Sequence, residues 1–113
     1  MSPRTGEAAL RRSAPLFAAL GDPTRLHVVV RLCGGGPMSI TELTEGTDVT
    51  RQAVTKHLTV LADAGLVHDS WQGRERVWEL NSRKLEEARR ALDAIAAQWD
   101  QALDRLRTML EDE

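Results

Sequence analysis

Two changes of hydrophobic period predict a mainly α fold with one small β-hairpin, about five helices and two strands in all. Apolar residues recur at helical spacing up to Ala64, alternate singly from Val67 to Leu80, and return to helical spacing from Leu85 to Leu110. Proline, glycine and capping residues stand where each helical run should stop or start.

The first helix runs from about Gly6 to Leu20, with Ala9, Leu10, Leu16, Phe17 and Leu20 on its apolar side and a kink or late start at Pro15. Gly21 stops it. Asp22 then caps a second helix and Pro23 occupies its first position, where a missing N–H costs nothing. Leu26, Val29, Val30 and Cys33 form that helix's expected apolar stripe, and Gly34-Gly35-Gly36-Pro37 breaks it. Ser39-Ile40-Thr41-Glu42 has the reciprocal capping pattern, so a short third helix should cover about 39–46. Gly46-Thr47-Asp48 supplies the turn. Thr50 caps a fourth helix built on Ala53, Val54, Leu58, Val60 and Leu61, which Gly65 ends.

With Gly73 and Arg74 as a two-residue turn, residue 71 faces 76 and 69 faces 78 in the hairpin. That register gathers Val67, Trp71, Trp78 and Leu80 on one face. Asn81 or Ser82 caps a last helix over about 83–111. Its seam takes Leu85, Leu92, Trp99 and Leu106 at every seventh residue and Ala88, Ile95, Ala102 and Met109 between them, with Leu103 and Leu110 widening it. Two short helices, a tight turn and a following hairpin make a winged helix-turn-helix.

A chain of 113 residues fits one domain, read as 1–113. So small a core covers little surface, and the long last helix is expected to need a partner helix from a second copy. The composition, 42% hydrophobic and 28% charged, excludes a disordered chain. Because 15 Lys and Arg stand against 17 Asp and Glu, any nucleic-acid affinity must come from a local basic surface. A lone cysteine, Cys33, excludes an intramolecular disulfide and multi-thiolate metal sites within one chain. No stretch has the apolar length of a signal peptide or membrane span, and a cytoplasmic protein is expected.

Chemistry concentrates on the fourth helix. Thr50 at its cap, Arg51 and Gln52 in its first turn, then Thr55, Lys56 and Thr59 form a polar face suited to duplex DNA. Arg51 and Gln52 have the side chains that read guanine and adenine edges, and Lys56 that of a backbone clamp. Arg74 and Arg76 near the wing tip suit phosphates. His57, between the two faces, is either half-buried structure or a DNA contact. Arg25 belongs equally well to a structural ion pair and stays outside the DNA set. Cys33 reads as a small buried hydrophobe, with a thiol switch beside Arg31 as the alternative. The tryptophans read as core and interface residues, or as the lining of an effector pocket. No nucleophile–base ordering, paired-carboxylate motif or phosphate loop points to an enzyme.

Four pieces in this order resemble the ArsR family of bacterial winged-helix regulators: Ala19-Leu20-Gly21-Asp22-Pro23-Thr24-Arg25-Leu26, Ala53-Val54-Thr55-Lys56-His57-Leu58, Leu61-Ala62-Asp63-Ala64-Gly65-Leu66-Val67, and Gly73-Arg74-Glu75-Arg76-Val77-Trp78-Glu79-Leu80. The resemblance covers nearly the whole chain. It implies a homodimer joined through first and last helices, with Leu10, Leu16, Leu92, Ile95, Trp99, Ala102, Leu103, Leu106 and Met109 at the interface. It also implies recognition helices in successive major grooves of a partly palindromic operator, and repression. Many relatives sense metals through cysteines in the third helix or histidines and carboxylates in the last. Here Ile40-Thr41-Glu42-Leu43-Thr44-Glu45 has no cysteine, and the last helix has neither cysteine nor histidine. Asp93, Asp100 and Asp104 alone have the spacing of a solvated face, and His27, His57 and His68 lie on separate elements. No metal, cofactor or membrane partner is therefore expected, and an effector is left open. The alternative function is a winged-helix protein-interaction module using the fourth helix and the acidic tail Glu111-Asp112-Glu113.

Overall fold

The computed structural model describes the backbone of residues 5–112; Glu113 and the side chain of Ala9, both used in the sequence reading, lie outside the described residues. The order is α1 (Thr5–Leu20), α2 (Pro23–Gly35), β1 (Met38–Ser39), α3 (Ile40–Thr44), α4 (Arg51–Asp63), β2 (Val67–Gln72), β3 (Glu75–Leu80) and α5 (Ser82–Glu111). α1 carries Pro15 within its helical span. The third helix is shorter than its capping signals suggest, ending at Thr44.

Local chemistry explains the boundaries. The Asp22 carboxylate accepts the Arg25 amide at 3.0 Å, and Ser39 and Glu42 complete the reciprocal cap of α3. At the end of α4 the Gly65 amide donates to the Ala62 carbonyl and the Leu66 amide to Leu61, both at 2.9 Å. This six-to-one and five-to-two pair requires a left-handed residue between them, and Gly65 supplies it with φ +82°. The chain is thereby turned at once from α4 into β2.

The sheet is antiparallel with order β1-β3-β2. Trp71 pairs with Arg76 and Asp69 with Trp78, the expected register. The two-stranded wing gains a third strand, because Met38 and Ser39 pair with Trp78 and Val77 before α3 begins. Gly73 alone takes a positive φ in the wing turn, where a type II′ turn places glycine.

One cluster joins Leu16 and Ala19 of α1, Val28, Val29 and Leu32 of α2, Leu43, the α4 stripe Val54-Leu58-Leu61, and Val67, Trp78 and Ala88. Four expectations change here. α2 buries Val28, Val29 and Leu32 and exposes Leu26 and Val30. Cys33 is exposed, not a buried hydrophobe. Leu16, expected at a dimer interface, is consumed by the protomer core at 2% exposure. Trp71 is open to solvent on the hairpin face expected to be apolar, while Trp78 is core and Trp99 is exposed along the α5 seam.

The radius of gyration is 18.5 Å and the longest extent 67 Å, where a compact chain of this length has a radius near ~13 Å. The excess is α5. Its first half packs on α1 and buries Ala88 and Ala91; beyond Ala91 no described side chain is buried, and Leu92, Ile95, Trp99, Leu103, Leu106, Met109 and Leu110 stand exposed. Ala102 lies on the same bare stretch.

Candidate nucleic-acid interface

The turn between α3 and α4 is held by its own threonines. Thr44 Oγ1 donates to the Ile40 carbonyl at 2.7 Å and Thr47 Oγ1 to the Thr44 carbonyl at 2.8 Å, while Gly46 turns the chain with φ +74°. Arg31 braces the turn from α2: its Nη1 donates to the Leu43 carbonyl at 2.9 Å and to Glu45 at 3.4 Å, satisfying carbonyls at the end of α3. Its guanidinium is therefore committed to α3, and sequence reasoning missed the brace because nothing local signals a contact twelve residues away.

α4 is set against this frame. Thr50 Oγ1 accepts the Ala53 amide at 3.1 Å, so its hydroxyl oxygen is used by the cap. Val54, Leu58 and Leu61 point into the core, which turns Arg51, Gln52, Thr55, Lys56 and Thr59 outward, all exposed. Arg51, Gln52, Thr55 and Lys56 line one shallow recess. Arg51 Nη1 donates to Thr41 Oγ1 at 3.0 Å, and Thr55 and Thr59 hydroxyls donate to the carbonyls of Arg51 and Thr55 at 2.9 and 3.0 Å. Among the described residues Gln52 and Lys56 make no side-chain hydrogen bond or ion pair. The first turn of α4 holds no acidic residue, so its open amides and positive helix end are left for an outside anion.

His57 turns the other way. Its Nδ1 accepts Arg25 Nη1 at 3.4 Å and lies 3.8 Å from Asp22 Oδ2, while Arg25 Nε donates to the Ala19 carbonyl at 2.6 Å. Gly21-Asp22-Pro23-Thr24-Arg25 thus ties the end of α1, the start of α2 and the recognition helix together, and His57 takes the structural alternative. The Arg25 amide, with help from the Arg25 charge, holds the Asp22 carboxyl below the ordinary carboxylate range.

The wing differs from its sequence reading. Arg76 Nε donates to Asp69 Oδ2 at 2.7 Å, and the guanidinium lies 4.8 Å over the Trp78 ring. This bond lowers the Asp69 pKa. His68 and Glu79 pair across the strands at 2.8 Å. Arg74 at the tip has no partner among the described residues. Asp104 lies 3.9 Å from Arg107 on an exposed face, and among the described residues no group of three His, Cys, Asp or Glu comes together. No described helix is long and apolar enough to cross a membrane.

A helix-turn-helix domain model matches residues 20–69, from the end of α1 into the wing. An HTH-type transcriptional regulator of Mycobacterium tuberculosis is 38% identical over 97 residues, 86% of this chain and 87% of that protein. The arsenical resistance operon repressor of Bacillus subtilis is 32% identical over 72% of this chain and 77% of its own length. Among solved structures, an ArsR-like transcriptional regulator from Rhodococcus sp. RHA1 superposes with a TM-score of 0.74 at 33% identity, covering 90% of this chain and 95% of that one.

Proposed function

The chain belongs to the ArsR family of winged helix-turn-helix transcriptional regulators, and from that premise we propose that it is a homodimeric repressor occluding a promoter at a partly palindromic operator. The observation that carries this reading is the outward face of α4, five exposed side chains on a turn braced from α2 and α3. Arg51 and Gln52 read base edges, Arg51 after giving up its bond to Thr41. Lys56 clamps phosphate, with Thr50, Thr55 and Thr59 beside it. At the wing Arg74 meets the backbone, and Arg76 contributes mainly by holding the wing's shape.

All 113 residues form one DNA-binding domain with dimerisation helices at both ends. The interface uses Leu10 and the seam Leu92, Ile95, Trp99, Ala102, Leu103, Leu106 and Met109; Leu16 supports it from inside the protomer. With half-sites on two copies, operator spacing is one DNA turn or a multiple. Repression is the activity that the name of the Bacillus subtilis relative carries. The protein works in the cytoplasm; it does not respond to metal, a reading supported by an α3 without cysteine and an α5 without cysteine or histidine.

Selection of bound duplexes from a randomised pool, using metal-stripped protein, tests this. Enrichment of an inverted repeat is the expected result; no enrichment at moderate salt, with a protein partner captured instead, would transfer the site to protein recognition.

A further inference from the structure

Outside α5, Trp71 is the most exposed large apolar side chain among the described residues, at 68%. The seam of α5 has a second copy to cover it; Trp71 has no such explanation. It sits on β2 two residues before the wing turn at Gly73. By strand alternation it shares a face with Val67, and by register it shares that face with Arg76 and Trp78. Val67 and Trp78 on this face belong to the same buried cluster as Leu58 and Leu61 of α4. The face is therefore the one packed on the core that α4 shares, and Trp71 lies where it runs out past that core toward the wing tip.

The neighbours of Trp71 fix what it offers. Arg76, its cross-strand partner, is bound by Asp69 and stacked over Trp78. That guanidinium is thus charge-compensated, which leaves the wing one exposed apolar ring, Trp71, and the unpaired Arg74. A ring next to a cation, continuous with a duplex-reading helix, fits the apolar face of a deoxyribose and the floor of a minor groove, with Arg74 on the adjoining phosphate.

We propose that Trp71 is a DNA-contacting residue of the wing, laying its indole against deoxyribose at the minor groove flanking the half-site that α4 reads. This rests on the duplex-binding reading above. The contact is neutral, so it adds affinity without releasing counterions, whereas Arg74 adds both.

Two measurements test it with a mixed-sequence duplex of about 30 base pairs. In the otherwise unmodified protein, adding duplex should change the tryptophan emission, and most of that change should be lost in Trp71→Phe, which keeps the buried Trp78 and the seam residue Trp99. Titrations over a range of salt should find Trp71→Ala weakened about tenfold with an unchanged salt slope, and Arg74→Ala with a slope lower by about one. Trp71→Phe should recover part of the loss. Parent-like affinity of Trp71→Ala, or unchanged emission while a labelled duplex is visibly bound, overturns the role of Trp71 and leaves the regulator reading standing. Failure of the parent protein to hold any duplex at low salt overturns both.

Discussion

From Leu16 to Ala91 the chain closes a core of its own, whereas from Leu92 to Leu110 one helix carries an equally apolar stripe in which no side chain is buried. Within α5 one heptad pattern crosses the boundary, from Leu85 and Ala88 to Leu106 and Met109. The difference is reach: α5 has 30 residues against 16 in α1, so at ~1.5 Å per residue it outruns its neighbour by roughly 20 Å. A period in a sequence specifies which face is apolar; the length of the facing element decides whether the same chain can cover it. The winged body is finished within one copy, and the distal seam is the surface that one copy leaves uncovered.

The sharpest way to separate the regions is to remove a side chain from the first. Leu61 is fully buried, and Leu61→Ala should lower unfolding free energy by about 3 kcal/mol through lost burial and a residual cavity. Denaturant unfolding checks this, and the same truncation at Leu103 should leave the body's unfolding nearly unchanged when measured on isolated monomer. Placing a charge in the second region should do the reverse. Leu103→Glu should weaken self-association by about 2–4 kcal/mol, read as dissociation in sedimentation while the helical circular dichroism of the body persists.

Effects on recognition come next. Arg51→Ala and Gln52→Ala should each cost about 1–3 kcal/mol of discrimination between selected and random duplex, with stability little changed. Equal weakening on both duplexes would mark the residue as a backbone contact. Within the body, Ser39→Ala removes half of the reciprocal cap of α3 and should cost about 1 kcal/mol in unfolding experiments.

The smallest effect is in pH. Asp22 has a lowered pKa in the folded protein because it accepts the Arg25 amide. Its contribution is therefore present above the ordinary carboxylate range and is lost as pH falls through the lowered folded value. The stability difference between the parent and Asp22→Asn should be flat near neutral pH and shrink on acidification. A difference that grows toward acid would remove this account of the α1–α2 junction.

These regions also differ in how well their sequence could be read. The starts of α2 and α4 and the turn into the wing were legible because Asp22, Pro23, Thr50 and Gly65 each satisfy a specific backbone requirement. β1 was not, since two residues carry no alternation and Ser39 serves both as strand end and as helix cap. The buried face of α2 was misread because the run from Leu26 to Cys33 is apolar on nearly every side, so period cannot choose among rotations. The bond from Arg31 to the end of α3 goes with the rotation that buries Val28 and Leu32. In the candidate site the polar face of α4 was evident, but the inward bonds of Thr55 and Thr59 and the capture of Arg76 by Asp69 depend on rotamers that no spacing encodes.

The central claim is that α5 is completed only by a second copy, and sedimentation of the unmodified protein at micromolar concentration tests it most directly. The account predicts a species of twice the chain mass that Leu103→Glu converts to single chains. A monomer across that range, still binding an inverted-repeat duplex with full affinity, would contradict it.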